Sequence, residues 1–289
     1  MNVSRILALE TTDTAGGVAL CEGDKIVASR ALDPERRSAQ TLAPAIRDVL
    51  CGVGWKPSDV AIVAVAVGPG SFTGLRVGLT TAKVFAWSVG ARLVAVDSLD
   101  AIAEEQREFC VEVEGDGALF SVGMDAQRGD VVFRNYWIPR RKSEISAASE
   151  TSGAPVPLTT QFRLASIKKW LDVKNDWAEH FLNDADLSSA GLSSAGLERD
   201  EFKNVWARSQ VCARNLDVIF TGSVLERVKD LSGAYPDLRF GASDVRRPSA
   251  EGVARVAVRR ARLGLFDDLW NATPKYSRKA AAEERRDGK

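Results

Sequence analysis

The stretch VAVAVGPGSFTGLRVGLTTAKVF, residues 63–85, constrains the fold of this chain more than any other. It opens with a continuously apolar run, which stops at Gly68-Pro69-Gly70, and a helical pattern begins directly afterwards. An unbroken apolar run of this length is typical of a strand covered on both faces, as in parallel sheets. The stretch therefore predicts a buried strand, a tight turn and a helix over residues 71–89.

The elements around this stretch continue the alternation of strands and helices. Residues 5–31 contain three short apolar runs that predict a three-stranded meander. Apolar residues then recur at helical spacing between Ser38, a candidate cap, and Gly52, a candidate stop. A further strand is predicted over 92–96, followed by a helix from Ser98. The first hundred residues thus predict an α/β arrangement.

A second series of elements begins near residue 118. Residues 118–138 predict two strands joined by a tight polar turn at Asp125–Gly129. Residues 216–222 predict a buried strand that leads into a helix. Residues 248–264 carry a strongly amphipathic helical pattern. The side chains that this last pattern turns inward are Val253, Val256, Ala257 and Leu263.

The composition narrows the classes of protein to which the chain can belong. Lys plus Arg number 39, as do Asp plus Glu, so the chain as a whole lacks the positive charge of an autonomous nucleic-acid binder. It shows no secretory leader and no apolar stretch of roughly 20 residues, so we expect no membrane association. The four cysteines, none at metal-ligand spacing, predict buried reduced thiols and a cytoplasmic location: Cys21, Cys51, Cys110 and Cys212.

Histidine is nearly missing from the chain, and this limits its chemistry. The one histidine, His180, lies in a polar helix-like stretch and is predicted to sit at the surface. A Ser-His-Asp triad, a Cys-His pair or a His-rich metal site would each have to recruit this residue. We therefore predict neither a catalytic site nor a metal site.

An anion site is one interpretation of the glycine-rich turn. Backbone N–H groups at the start of a helix carry partial positive charge and have no intrahelical partner. The turn is not a Walker phosphate loop, because Leu75 rather than lysine follows Gly74. The candidate anion-binding residues are Thr11, Thr12, Gly68, Gly70, Ser71 and Arg76.

Close packing of a helix is a second interpretation. Gly74 and Gly78 are four residues apart and share one helix face, which Thr81 and Ala82 continue with small side chains. A face this flat lets another helix approach closely, from this chain or from another. An arginine at position 78 is therefore expected to block a partner. A turn without further role is the third interpretation, and the residues alone leave all three open.

Six motifs, taken together and in this order, resemble the TsaB (YeaZ) family: ILALETT, GGVAL, VGPGSFTGLRVGLTTAKVFA, VDSLDAIA, DAQRGDVVFRNY and PKYSR. The resemblance covers residues 4–137 and 216–278 and is absent over 139–215. It implies an ASKHA fold, the RNase H-like type of actin and sugar kinases, with two related α/β lobes that contain mixed sheets. The implied division is an N-terminal lobe, 1–104, completed by the helix near 248–264; a C-terminal lobe, 105–247, with insertions near 139–160 and 184–199; and a mobile tail, 275–289.

The resemblance also implies a function, that of a non-catalytic scaffold and activator. Members bind TsaD, which transfers a threonylcarbamoyl group to the adenosine next to the anticodon of tRNA, and TsaE is a third component. The implied partners are thus TsaD, TsaE, a second copy of the chain in isolation, and tRNA indirectly through the complex. No cofactor is implied for the chain itself, although ATP or ADP fits the partner interface. The implied partner-binding residues are Leu42, Ile46, Phe72, Gly74, Leu75, Gly78, Leu79, Thr81 and Ala82.

Two other functions stay open beside this one. An ASKHA-type ATPase or small-molecule kinase would use the glycine turn as a phosphate pocket, although Glu10 stands where such proteins usually place an aspartate. A metallopeptidase is the other, and the single histidine argues against it because no His-x-x-x-His pair can form. Asp125 and Arg128 invite a catalytic interpretation, but we favour a hairpin tip with an Asp-capped turn.

Overall fold

The computed structural model describes residues 4–14, 16–107, 109–112, 117–139, 155–158, 163–171, 218–228, 230–244 and 246–277. The chain divides into two compact units, one of residues 1–101 with 247–289 and the other of residues 102–246. His180, Cys212 and the predicted insertion at 184–199 lie outside the described residues, as does most of 139–160.

The regular elements follow the chain in this order. The strands of the described ranges are β1 (Arg5–Glu10), β2 (Gly17–Glu22), β3 (Lys25–Ala31), β4 (Ile62–Ala66), β5 (Arg92–Val96), β6 (Gly117–Asp125), β7 (Asp130–Pro139), β8 (Val156–Pro157), β9 (Arg163–Ser166), β10 (Val218–Thr221) and β11 (Arg239–Phe240). The helices are α1 (Ser38–Gly52), α2 (Phe72–Val89), α3 (Ser98–Glu105), α4 (Ile167–Leu171), α5 (Leu231–Ala234) and α6 (Ala250–Arg262). Within the described part of the chain, none of the helices is long and apolar enough to span a bilayer.

The first unit is built on a five-stranded mixed sheet with the order β3-β2-β1-β4-β5. The first three strands are antiparallel neighbours, which confirms the predicted meander, and β1, β4 and β5 run parallel. Alternate side chains of β1 supply two cores. Leu7 and Leu9 pack with α1 and α2, whereas Ile6 and Ala8 pack with α6 on the opposite face. Burial on both faces explains the continuous apolar run that the sequence shows in β4.

Capping residues set the ends of the two helices that matter most. Helix α2 begins where the Ser71 hydroxyl accepts a hydrogen bond from the Gly74 N–H, 3.2 Å away, and it ends at Gly90, whose φ is 71°. Helix α6 begins in the same way at Ser249. Its end corrects one prediction: Leu263 lies beyond the last helical turn and is 37% exposed, so it does not face inward.

The first helix and the cysteines require two further corrections. Ser38 is the first helical residue of α1 rather than its cap, because Arg37 takes the cap position without a side-chain hydrogen bond. Cys21 and Cys110 are buried as predicted, but Cys51 is exposed at the C-terminal end of α1.

The second unit contains another mixed sheet, with the order β11-β10-β6-β7-β8 and with β9 paired to β7. Its core is aromatic: Trp170 is fully buried against Phe133 and Phe220, and its indole N–H donates to the Ser121 hydroxyl at 2.8 Å. The helix predicted after β10 is a 3₁₀ helix, Ser223–Arg227. Two α/β units with mixed sheets confirm the predicted fold class.

Candidate functional site

The glycine-rich turn is packed against the protein's own backbone. Gly68 and Gly70 have φ values of 113° and 154°, a region that L side chains rarely adopt. A Cβ on Gly70 would lie 2.5 Å from the backbone oxygen of Thr12, and one on Gly68 would overlap the backbone oxygen of Lys275. The glycines are therefore required for close contact within the chain, and they do not line an open cradle.

The groups proposed to bind an anion are also engaged within the fold. The Ser71 N–H donates to the Thr12 backbone oxygen at 2.7 Å, and the Thr11 hydroxyl donates to the Gly74 backbone oxygen at 2.7 Å. The guanidinium of Arg76 lies 3.9 Å from the ring centre of Phe72. In this conformation the Ser71 N–H and the Thr11 hydroxyl are thus engaged within the chain, and the anion-site interpretation stays a prediction that depends on the other groups of the turn.

The small-residue face of α2 closes on strand β1 rather than on a partner. A Cβ added to Gly74 would overlap the backbone oxygen of Thr11, and one added to Gly78 would overlap the Thr11 hydroxyl. Both glycines are buried, so the face that they share is an internal contact. An arginine at position 78 would disrupt the fold and cannot test partner binding.

Burial removes most of the predicted partner-binding residues from the surface. Of that set, Phe72 is 37% exposed and Thr81 is half-buried, so these two remain accessible. The others are buried in the first unit, because they face the sheet or the neighbouring helix: Leu42, Ile46, Gly74, Leu75, Gly78, Leu79 and Ala82.

An apolar groove runs between α1 and α2. It has a volume of about 520 Å³ and an open mouth. Ile46, Leu50 and Trp55 line one side, and Val84 and Phe85 line the other. Ile46 reaches this groove although it is only 4% exposed, and Thr81 borders it as well. The groove therefore provides an apolar surface close to, but distinct from, the one that the glycine spacing predicted.

The sequence analysis missed the most exposed apolar side chains of α2. Val84 lines the groove and is 59% exposed, and Trp87, one helical turn further along, is 66% exposed. The available signal was a helix with apolar residues all the way round, since such a helix is buried on more than one side. We assigned its second apolar side to the glycines, whereas the structure assigns it to Val84 and Trp87.

A segment near the C-terminus, residues 267–277, contacts α2 at Lys83, Arg76 and Phe72 and is here named the C-terminal strap. The Asp267 N–H donates to the Leu93 backbone oxygen at 2.9 Å, and the Lys275 N–H donates to the Val67 backbone oxygen at 2.7 Å. The Lys275 ammonium lies 3.6 Å from Asp97. The prediction of a mobile tail from residue 275 is therefore wrong for 275–277, and residues 278–289 lie outside the described residues.

Polar side chains meet at the carboxyl ends of the parallel strands. Glu10 is fully buried, and its Oε1 accepts hydrogen bonds from the Thr12 N–H, at 2.6 Å, and from the Thr12 hydroxyl. The Thr12 hydroxyl also lies 3.1 Å from that of Ser98. Burial raises the pKa of Glu10 to about 7, chiefly because desolvation disfavours the charged carboxylate. Within the described ranges, no donor reaches the second carboxyl oxygen, Oε2.

This polar edge does not form a metal site in the described part of the chain. No group of three His, Cys, Asp or Glu side chains there is arranged to hold an ion. The hydrogen bonds to Glu10 come from the loop that follows its own strand, and that loop in turn supports the start of α2. The Glu10 carboxyl therefore accepts the hydrogen bonds that hold this loop. It gains or loses its proton near neutral pH, because its pKa is about 7.

The hairpin tip between β6 and β7 is a capped turn. The Asp125 Oδ1 accepts from the Gln127 N–H at 2.9 Å, and its Oδ2 pairs with Arg227 at 2.7 Å. Gln127 and Arg128 both adopt positive φ, 64° and 57°. The capped-turn interpretation of Asp125 is confirmed, since both carboxylate oxygens serve to hold the tip.

Comparison with known proteins finds relatives over part of the chain. A family model described as TsaD, tRNA N6-adenosine threonylcarbamoyltransferase, matches residues 26–150. The protein of Bacillus subtilis (strain 168) named tRNA threonylcarbamoyladenosine biosynthesis protein TsaB is 36% identical over 126 residues, which are 44% of this chain and 52% of that protein. The protein of the same name from Escherichia coli (strain K12) is 28% identical over 174 residues, 60% of this chain and 72% of that protein.

These matches leave part of each relative uncovered. The chain spans about half the length of the B. subtilis protein that it matches, 52%. Among solved structures, YeaZ from Pseudomonas aeruginosa has a TM-score of 0.62 at 20% identity, over 94% of this chain and 99% of that one. At this identity the likeness concerns the fold, and it covers both units.

Proposed function

We propose that the chain is a member of the TsaB (YeaZ) family, which its relatives support, and that it acts as a non-catalytic subunit that binds a threonylcarbamoyltransferase of the TsaD type. In this role it supports transfer of the threonylcarbamoyl group to the adenosine next to the anticodon of tRNA. The printed names of its relatives place those proteins in the biosynthesis of this modified nucleoside.

The observation that carries the proposal is the concentration of exposed apolar surface on one side of the first unit. In the described ranges, seven large apolar side chains are exposed, and five of them lie on α2 or on the C-terminal strap. Val84 lines the groove between α1 and α2, and Phe72 stacks on Tyr276 at the start of α2. Exposed apolar side chains gathered on one side of a unit mark a site of protein association. The five side chains are Phe72, Val84, Trp87, Trp270 and Tyr276.

The non-catalytic role is supported by what the polar residues do. The chain has one histidine in its whole sequence, His180, so a pair of histidine ligands cannot be assembled and any triad would have to recruit this residue. The turn at Gly68 and Gly70, which a kinase or ATPase would need to be open, is occupied by Thr12 and Lys275 of the same chain. These contacts favour a scaffold over the kinase, and the histidine count argues against the peptidase.

The further partners are part of the same proposal. TsaE is the expected third component, tRNA is reached through the complex, and ATP or ADP has a place at the partner interface rather than inside this chain. Pairing of two copies in isolation stays a prediction of the family resemblance. Since the substrate would be tRNA, the proposed work is carried out in the cytoplasm.

Co-purification with the TsaD of the same organism tests the proposal. Val84→Asp places a charge on the outer side of α2 without altering the buried face. Leu164→Asp, at a position that is 48% exposed on the second unit, is the matched control. We expect the wild type and the control to retain TsaD and Val84→Asp to lose it, with tRNA modification lost in parallel. Retention by all three would place the partner elsewhere, and no retention by the wild type would contradict the proposal.

A further inference from the structure

The carboxyl of Glu10, the last residue of β1, has hydrogen-bond partners on one oxygen only. The residue is fully buried, and its Oε1 accepts the Thr12 N–H at 2.6 Å and the Thr12 hydroxyl. Its Oε2 is buried as well and has no hydrogen-bond partner among the described residues. An ionised carboxylate that is taken out of water needs donors on both oxygens, so this environment favours the neutral, protonated carboxyl.

The loop that follows Glu10 connects this carboxyl to the start of α2. The Thr12 backbone oxygen accepts the N–H of Ser71, the cap of the helix, at 2.7 Å. The Thr11 hydroxyl donates to the Gly74 backbone oxygen in the first helical turn, also at 2.7 Å. Thr12 therefore makes hydrogen bonds to the Glu10 carboxyl and to the helix cap. A movement of the loop that exposes the carboxyl to water also removes the partner of the Ser71 N–H.

The loop and the start of α2 are in direct backbone contact. A Cβ on Gly74 would overlap the Thr11 backbone oxygen, and one on Gly70 would lie 2.5 Å from the Thr12 backbone oxygen. Because neither position has room for a methyl group, the loop cannot shift toward the helix and can only move away from it. A displacement of the loop therefore breaks its contacts with the first turn of α2.

The charged groups on the loop and near the start of α6 do not stabilise an ionised carboxyl. Desolvation is the main reason that the pKa of Glu10 is raised to about 7; the Thr12 hydrogen bonds oppose this rise, and the charge of Asp13 adds to it. Asp13 itself pairs with Arg247, which precedes α6. The charged residue in the first turn of α6 is Glu251, another acid.

The remaining elements around the carboxyl supply hydroxyls or charges that are engaged elsewhere. The Ser98 hydroxyl, at the start of α3, lies 3.1 Å from that of Thr12. Asp97, which follows β5, faces the Lys275 ammonium at 3.6 Å. Arg76, the first charged side chain of α2, contacts aromatic rings of its own helix and of the C-terminal strap. Neither of these two cations lowers the pKa of the carboxyl.

We propose that Glu10 is a proton-dependent switch for the start of α2: the protonated carboxyl keeps the loop of residues 11–14 closed on the first helical turn, and loss of the proton to water lets the loop open and release that turn. The switch is a property of the chain alone and does not depend on the proposed function. Since the pKa of the closed form is about 7, the switch responds to changes around neutral pH.

Hydrogen exchange of the full-length chain, followed by NMR one unit below and one unit above pH 7, tests the proposal. The probes are the N–H groups of Ser71 and Gly74, and the N–H of Val65 in the centre of the sheet reports global unfolding. With pKa values of about 7 closed and 4.5 open, opening becomes about tenfold more frequent over this range. We expect the protection of both probes, corrected for the intrinsic rate, to fall by that factor.

Glu10→Gln is expected to remove this pH dependence, because an amide does not titrate. Glu35→Gln, at an exposed position in the loop before α1, is the matched control and should keep the dependence of the wild type. NMR of the Glu10 carboxyl carbon in the wild type reads the ionisation directly and needs no variant. A midpoint near the ordinary 4.5 would overturn the proposal.

The exchange rates also distinguish a local switch from unfolding of the whole unit. Global unfolding exposes the same carboxyl, so a local switch requires that Ser71 and Gly74 exchange faster than Val65 at both pH values. One common rate for all three groups would overturn the proposal, as would a Glu10→Gln protein with the pH dependence of the wild type. None of these measurements uses TsaD, so the proposed function is tested separately.

Discussion

The two faces of α2 differ in what covers them. The inner face carries Gly74 and Gly78 and lies so close to Thr11 that neither glycine has room for a methyl group. The outer face carries Val84 and Trp87, which are 59% and 66% exposed and have no comparable cover in the described residues. Both faces belong to one uninterrupted helix.

The difference shows that small and large residues have different roles on this helix. Small residues let the start of α2 sit directly on the end of β1, where the Thr11 hydroxyl donates to the Gly74 backbone oxygen. Large apolar residues exposed to water instead lower the solubility of a lone subunit. This cost disappears when a partner covers them. The candidate interface is therefore the face on which large side chains remain exposed.

The largest expected effect comes from filling the inner face. Gly74→Ala places a Cβ on the Thr11 backbone, which cannot swing away as a side chain would. Overpacking commonly costs about 1–3 kcal/mol of unfolding free energy, and we expect this variant to exceed that range. Urea unfolding measures it. Gly52→Ala is the control, because nothing lies within 4 Å of the added methyl group. Equal stability of Gly74→Ala and wild type would contradict the close contact.

The loop beneath the inner face supplies a second test, through the buried carboxyl of Glu10. Its pKa in the folded protein is about 7, above the ordinary 4.5, so the fold favours the protonated form. Below pH 4.5 both states hold the proton; between pH 4.5 and 7 only the folded state does, and the unfolding free energy falls as pH rises. The full loss is about 3 kcal/mol and is constant above pH 7.

Glu10→Gln removes this titration. We expect the wild type to lose stability relative to the variant as pH rises from 4.5 to 7, with a constant difference at higher pH. Chemical unfolding of both proteins across that range measures the difference directly. A difference that does not change with pH would show that Glu10 is ionised to the same extent in the folded and unfolded states.

The outer face is expected to show a smaller effect, and on binding rather than on folding. Trp87→Ala removes an exposed ring, so its unfolding free energy should stay within about 0.5 kcal/mol of the wild type. Its affinity for TsaD should fall about tenfold, which corresponds to about 1.4 kcal/mol. Calorimetric titration and thermal unfolding of the same sample separate the two effects. Lost stability with unchanged affinity would reverse the assignment of the faces.

Local sequence signals were sufficient for the elements of the fold. The apolar run before Gly68 is strand β4, and the helix predicted over 71–89 is α2 with Ser71 as its cap. The amphipathic pattern near the C-terminus is α6, and the polar turn at Asp125 is a hairpin tip. Each of these depends on periodicity, capping or turn chemistry, which act between residues close in the chain.

The candidate site depended on contacts between residues far apart in the chain. Gly68 meets Lys275, and Gly74 meets Thr11, so the glycines that suggested an anion cradle or a partner face are occupied from within. The sequence analysis predicted no regular element over 267–274 and a mobile tail from residue 275, so it did not anticipate the strap. Its order comes from backbone hydrogen bonds to Val67 and Leu93 in distant strands.

The sequence by itself determined that α2 has more apolar surface than one sheet can cover, because a helix that is apolar or small all the way round must be buried on more than one side. The tertiary structure decided which side is left for a partner. Thr11, at the end of β1, packs on the glycine face, and Lys275 of the C-terminal strap packs on the turn at Gly68. Backbone atoms can come this close because glycine has no side chain. Val84, Trp87 and Trp270 then remain at the surface, where no element of the described chain packs over them.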